Sequence, residues 1–218
     1  MRGLQGLRRA GSQRLPRTGT SLSGPAQRGD AALTAPEPPW LSAWRARPLA
    51  TPEALAQFDA LPGLDAVELI GRWRGQTLPT GHPLDGLLEA LGWHGKAIER
   101  PSLVHPLLFR LRSGRVVPLD PALMPTSVAL RWPALARSAP TRLAFAALGP
   151  FLRARGPAAR LECREFRARR SAALVYDRQP ITDHLRRVNE AHVIGLMERK
   201  GMAAPFFFLL TRETGSYS

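Results

Sequence analysis

The chain is poor in the residues that staple or coordinate. It has one cysteine in 218 residues, Cys163, which excludes an intramolecular disulfide and any zinc site built on a Cys pair. No apolar run approaches the roughly 18 residues that a membrane-crossing helix needs; the longest are 205–210 and the interrupted stretch 143–152. His82, His94, His105, His184 and His192 show no His-x-x-x-His spacing and no carboxylate cluster, so no metal is expected. There is no Gly-x-Ser-x-Gly elbow and no glycine-rich phosphate loop, so neither a serine nucleophile nor a nucleotide cofactor has support. Lysine is nearly missing as well. Lys96 and Lys200 are two of 31 basic residues, and the rest are Arg.

What is plentiful is positive charge, with 31 basic against 17 acidic residues and a formal +14. Clustered charge attracts phosphate backbones. An Arg bias beside abundant Ala, Gly and Pro is also the coding habit of a GC-rich genome, in which Arg fills ordinary solvated positions. Charge-driven nucleic-acid binding therefore stands third among the functional readings. Within that habit each retained Lys points to a need for a compact ammonium, or for a pKa that burial can lower; chance retention is the alternative.

Residues 1–50 carry eight Arg against Asp30 and Glu37, with six Gly and six Pro. Such a composition cannot offset chain entropy, so a disordered basic tail is expected there. No acidic residue precedes Asp30, which matches a mitochondrial transit peptide in composition, while no apolar stretch suits a secretory signal. The expected location is cytoplasmic, or mitochondrial if that tail acts as a transit peptide. Trp40 and Trp44 fall at helical spacing and can dock on the body. The body is expected over 51–213 as one barrel, with halves at 51–120 and 155–213 and a short tail at 214–218.

Thr51-Pro52 reads as a helix start, with Leu55 and Phe58 on its apolar face and Pro62-Gly63 as its stop. A helix is expected over 84–91. Strands are expected over 67–74, 93–98, 107–112, 115–119, 159–164, 171–176, 192–198 and 206–212, with Ser113-Gly114 and 167–170 as hairpin turns. The apolar segment 140–155 reads as helix broken near Gly149-Pro150. Short strands without βαβ alternation predict a mainly β, antiparallel, closed or nearly closed barrel of lipocalin or calycin type, with a few short helices.

Gly71-Arg72-Trp73-Arg74-Gly75 is the most informative stretch. On a strand Gly71, Trp73 and Gly75 share one face, so the indole sits between two positions without side chains. That gap would admit another backbone or a bound apolar molecule; a Trp packed over by its neighbours is the alternative. Gly-x-Trp after a helical turn resembles the opening of lipocalin-type barrels, where a late Arg stacks on the Trp, and Arg212 is placed for that part. A broader resemblance covers the body. The Gly71–Gly75 stretch, Thr80-Gly81-His82-Pro83 and Gly92-Trp93-His94-Gly95-Lys96 resemble the GXWXG domain. Tyr176-Asp177-Arg178-Gln179-Pro180-Ile181-Thr182-Asp183-His184-Leu185-Arg186, Gly195-Leu196-Met197-Glu198-Arg199-Lys200-Gly201 and Phe206-Phe207-Phe208 resemble the domain of unknown function that follows it. The chain departs from the pattern at His94, where a phenol is expected, and at Glu198, where Asp is expected. The resemblance implies shared ancestry and fold, and brings no activity with it.

Pro180 suits the first position of a helix, and Ile181, Leu185 and Val188 then share a face that can lie across the barrel. Asp183 would meet Arg187 at i,i+4 as a surface pair, or join Tyr176 and Asp177 as polar fixtures at a barrel mouth. The leading expectation is a barrel that binds an apolar or amphipathic small molecule. Trp73, Trp93 and the Phe206–Phe208 run, Phe207 included, would line the cavity; Tyr176, Asp177, Asp183 and Lys96 would hold a polar head. Gly71, Gly75, Gly81, His82, Pro180 and Arg212 would be structural. An enzyme using Asp183 or Lys96 in the same cavity is the alternative. Arg153, Arg155, Arg160, Arg164, Arg167, Arg169 and Arg170 face only Glu162 and Glu165, so the tip at 167–170 could touch anionic lipid.

Overall fold

The computed structural model describes residues 35–214 of the chain. Nine strands form among them: β1 (Gly71–Thr77), β2 (Trp93–Arg100), β3 (Leu103–Arg110), β4 (Val116–Pro118), β5 (Ala159–Phe166), β6 (Arg169–Tyr176), β7 (Ile181–Arg187), β8 (His192–Arg199) and β9 (Phe206–Arg212). Every pairing is antiparallel. Around the ring the order is β1-β9-β8-β7-β6-β5-β3-β2, and β2 pairs back onto β1, so eight strands close a barrel while β4 hangs from β3. Closure removes the unpaired edges that an open sheet would present. The seam is the short β3–β5 contact at Val104 and Ala159.

Local chemistry explains the regular part. β5 and β6 pair without a break from Ala159–Tyr176 to Phe166–Arg169. Their turn is Arg167-Ala168, both at positive φ, as a two-residue hairpin of this hand requires. Arg167 holds the tip down by donating to both carboxylate oxygens of Asp59, at 2.7 and 2.6 Å. Arg160, Glu162 and Arg164 point outward and pair with one another, so the alternation read from the sequence is the real one.

Two expectations fail. Residues 181–187 are a strand in the ring, not a helix across it. Ile181 and Leu185 satisfy both a helical and a strand period. The inward position between them carries Asp183, whose charge hides the alternation. The disordered tail is also too long as expected. Residues 1–34 lie outside the described part, but α1 (Pro39–Ala46) is a helix with Leu41 and Trp44 buried. Together with α2 (Thr51–Ala60) it covers the outer face of β8 and β9, burying Leu41, Trp44, Ala54 and Phe58 against Ile194, Leu196, Phe207 and Leu209. Trp44 Nε1 donates to the Pro79 carbonyl at 3.0 Å. Phe206–Leu210 can therefore be apolar throughout, because both faces of β9 are covered.

One end of the barrel is closed by a 3-10 turn, Ala66–Leu69. The other carries α3 (Leu87–Ala90) and a helical cap. The cap consists of α4 (Thr126–Arg131), α5 (Pro133–Ala136), α6 (Ala139–Leu148) and a final 3-10 turn, Gly149–Leu152. Proline punctuates it at Pro125, Pro133, Pro140 and Pro150, which keeps each helix short. The sequence pattern marked only the last of these helices.

Candidate functional site

The lower barrel is solid. Trp73 donates its indole N–H to the Leu69 carbonyl at 2.8 Å. Arg212 lies over the indole, 4.2 Å from its centroid, and donates to the carbonyls of Ile70 and Glu68. Arg212 thus stacks on the Trp as the sequence suggested. The glycine gap, however, holds neither a second backbone nor room for a ligand. The Trp93 ring occupies the place of a side chain at Gly75, and the Phe208 ring does the same at Gly195. The two rings meet edge to face, 6.0 Å apart. Aromatic volume taken from one strand fills what glycine leaves empty on its neighbour. Gly71 is the position beside the Arg212 guanidinium.

Above this packing lies a buried polar group of three side chains. Lys96 Nζ donates to Asp183 Oδ2 at 2.8 Å, to the Pro106 carbonyl at 3.1 Å and to the Tyr176 hydroxyl at 3.3 Å. Tyr176 donates its own proton to Asp183 Oδ2 at 3.1 Å. The ammonium also sits 4.8 Å from the Phe208 ring centroid and within 6 Å of Trp93 and Tyr176. All three ammonium protons are therefore engaged. Lys96 and Asp183 are wholly buried, which only a paired charge tolerates. Burial, then the Asp183 charge, pushes the Tyr176 phenol well above its ordinary pKa, so it stays protonated. Among the described residues Asp183 Oδ1 has no hydrogen-bond partner.

Over Tyr176 the barrel opens into a cavity of about 260 Å³ beneath the cap. Leu87, Leu107, Phe109, Phe145, Ile181 and Met197 supply much of its wall; Thr126, Thr141 and Tyr176 are its hydroxyl-bearing residues. Val128 and Leu135 also line it while about half exposed, at 45% and 53%. They mark the opening. Tyr176 thus has its ring in the cavity wall and its hydroxyl on the Lys96–Asp183 pair.

The residues expected to bind a ligand are consequently divided. Tyr176, Asp183 and Lys96 come together. Trp73 and Trp93 belong to the solid part and do not line the cavity. Phe207 points out of the barrel, where it packs on Trp44 and Phe58. Asp177 is an exposed partner of Arg160 at 3.2 Å. Asp183 does not meet Arg187, which pairs with Glu68. Gly81 and His82 build the turn before α3. The Asp85 carboxylate accepts from the Thr80 and His82 amides there, and the buried His82 ring lies 5.5 Å from Phe206. Exposed Pro180 precedes β7, its carbonyl accepting from the Lys200 amide at 3.1 Å; Lys200 itself is solvated. His184 faces away from Asp183 and stacks on Phe166, 3.6 Å between centroids. Among the described residues no group of three or more His, Cys, Asp or Glu side chains could hold a metal.

The sequence reading missed the cap side of the cavity. Thr141 and Phe145, one helical turn apart, were its one legible signal.

Burial lowers the pKa of His82, His94, His184 and His192 as the first cause in each case. His94 stays in this group although it bonds Glu213 at 2.7 Å. The unfolded chain, with histidines near 6.5, takes up protons before the folded one. Stability is therefore complete above about pH 6.5 and falls as pH drops below it. Thermal melts should show a lower Tm at pH 5.5 than at 7.5; an unchanged or higher Tm would contradict the burial of these rings.

The comparisons follow the same division. The GXWXG protein family matches residues 56–114, and the domain of unknown function DUF4334 matches 157–212. Lys96 comes from the first segment, Tyr176 and Asp183 from the second, and the cap lies between them. A crystal structure of a protein from Thermomonospora curvata is similar to this chain at 29% identity, with a TM-score of 0.58, covering 77% of this chain and 90% of that one. No curated protein matches. Both segments are present in order and together complete one closed barrel, so the chain carries a GXWXG segment at 56–114 followed by a DUF4334 domain at 157–212.

Proposed function

We propose that the protein binds a small apolar or amphipathic molecule in the capped cavity, in the manner of a lipocalin-like barrel. The observation that carries this reading is an apolar space of about 260 Å³ with an opening at Val128 and Leu135 and a phenol in its wall. The volume falls just under the usual 300–1,000 Å³ range of small-molecule sites. The ligand is therefore compact, or has a tail that leaves through the opening. Tyr176 couples it to the Lys96–Asp183 pair, so polar recognition would pass through that hydroxyl. Titration with 1-aminoanthracene, whose fluorescence rises in apolar sites, tests the reading. Ala136→Phe, which pushes a ring into the space, should weaken binding at least about tenfold. Ala129→Trp serves if that variant folds poorly. Equal binding by the parent and both filled variants would remove the cavity from the account.

One observation favours a second reading, acid–base chemistry by Asp183 or Lys96. It is the unpartnered Asp183 Oδ1, since a buried acceptor left open suits a transient proton donor. Against it, neither residue lines the cavity and the Lys96 protons are all engaged.

A further inference from the structure

The cap is unlike the rest of the surface in two respects. Between residues 121 and 155 there is no acidic residue, and there are five Arg: Arg131, Arg137, Arg142, Arg153 and Arg155. All five are exposed, and among the described residues none forms an ion pair. Arg137 spends its hydrogen bonds on the carbonyls of Pro83 and Asp85. The hairpin tip differs, since its Arg167 is neutralised by Asp59. Interspersed with these cations along the same segment are large apolar side chains in solvent: Phe151 at 81% exposure, Trp132 at 56%, and Leu143 and Leu148, each more than half exposed. Folded chains seldom leave an aromatic and several leucines outside together without a partner.

We propose that this cap is a docking surface for an anionic lipid bilayer. Exposed Trp, Phe and Leu interspersed with Arg is the composition of an interfacial anchor, in which rings enter the headgroup boundary and guanidinium groups meet lipid phosphates. A second copy of the chain fits less well, because a two-fold contact through this face would set its unpaired arginines against each other. The apolar residues project from short helices, which a fluid interface accommodates and a rigid protein partner matches only with pockets. The cavity opening at Val128 and Leu135 belongs to the same cap, so docking would turn it toward the acyl layer. The docking stands on the surface, whatever the cavity holds.

Flotation of the full chain with vesicles of two parts phosphatidylcholine to one part phosphatidylserine tests this. The chain should float with these vesicles, and at least about tenfold less with phosphatidylcholine alone or at high salt. Trp132→Ser with Leu143→Ser and Phe151→Ser removes only exposed side chains and should cut flotation at least about tenfold with Tm unchanged. Arg131→Gln with Arg142→Gln should weaken it by about fivefold per charge. The blue shift of tryptophan emission on vesicle addition should largely disappear in Trp132→Phe, because Trp44, Trp73 and Trp93 are buried and the half-buried Trp40 packs with α1 on the outer face of β8 and β9. Ala136→Phe should float as the parent does, which separates docking from cavity binding. Three outcomes overturn the proposal: no flotation, undiminished flotation of the triple-Ser variant, or self-association that the same variant abolishes without any vesicle binding.

Discussion

Asp183→Ala should lower stability by about 3–5 kcal/mol, the usual cost of leaving a buried charge without its partner. In this variant the Lys96 ammonium keeps the Pro106 carbonyl and the Tyr176 oxygen but faces no anion. The Tyr176 hydroxyl loses its acceptor in the same step. For a domain of this size the melting temperature should drop by about 10 °C or more. Lys96→Met should be damaging for the mirror reason, an Asp183 carboxylate abandoned in the barrel. The double variant Lys96→Met with Asp183→Leu should recover most of the loss, since apolar replacement of a buried pair is often neutral or better. Denaturant unfolding of the parent, Lys96→Met, Asp183→Leu and the double variant gives the cycle. Additive single losses would show that the two groups do not depend on each other, against the 2.8 Å contact between them.

Gly95→Ala should be worse still. Gly95 lies in the irregular part of β2, where the register against β3 shifts on either side of it. Its φ is +147°, a conformation that side chains rarely adopt. A Cβ there would overlap the Trp73 carbonyl oxygen and crowd the Gly75 amide, both backbone atoms of β1. No rotamer relieves that contact, so β1 and β2 would have to separate at the place that positions Trp73, Trp93 and Lys96. The expected loss exceeds about 4 kcal/mol, and the variant should be recovered largely unfolded. Gly114→Ala is the control. It too has positive φ, at +82°, but a Cβ there meets nothing within 4 Å. It should cost only the left-handed strain of about 1–2 kcal/mol. Similar circular dichroism and similar melts for both variants would mean that the close approach of β1 and β2 is not needed.

These residues show how far the sequence could be read. Strands with clean alternation, such as β5 with Arg160, Glu162 and Arg164 turned outward, are local facts and were legible. So were the Arg212–Trp73 stack and the departure of Lys96 from an otherwise arginine chain. β7 was not, because its inward Asp183 makes sense only beside Lys96, 87 residues away. A buried charge imitates a surface one until its partner is known. Phe207 was misplaced because a run of three phenylalanines gives no phase; the side that faces outward is covered by α2, which the sequence marks, and by α1, which sequence composition had hidden among arginines, prolines and glycines. The cavity was legible only as an expectation of hollowness near Trp73. Packing puts the space at the other end, under helices joined at prolines.

The capped cavity is most directly tested by native mass spectrometry of the full chain, purified from cells without detergent, beside Ala136→Phe. The account predicts a single adduct of small-molecule mass on the parent chain and its absence from the filled variant. A bare chain mass for both proteins, or the same adduct on both, would contradict it.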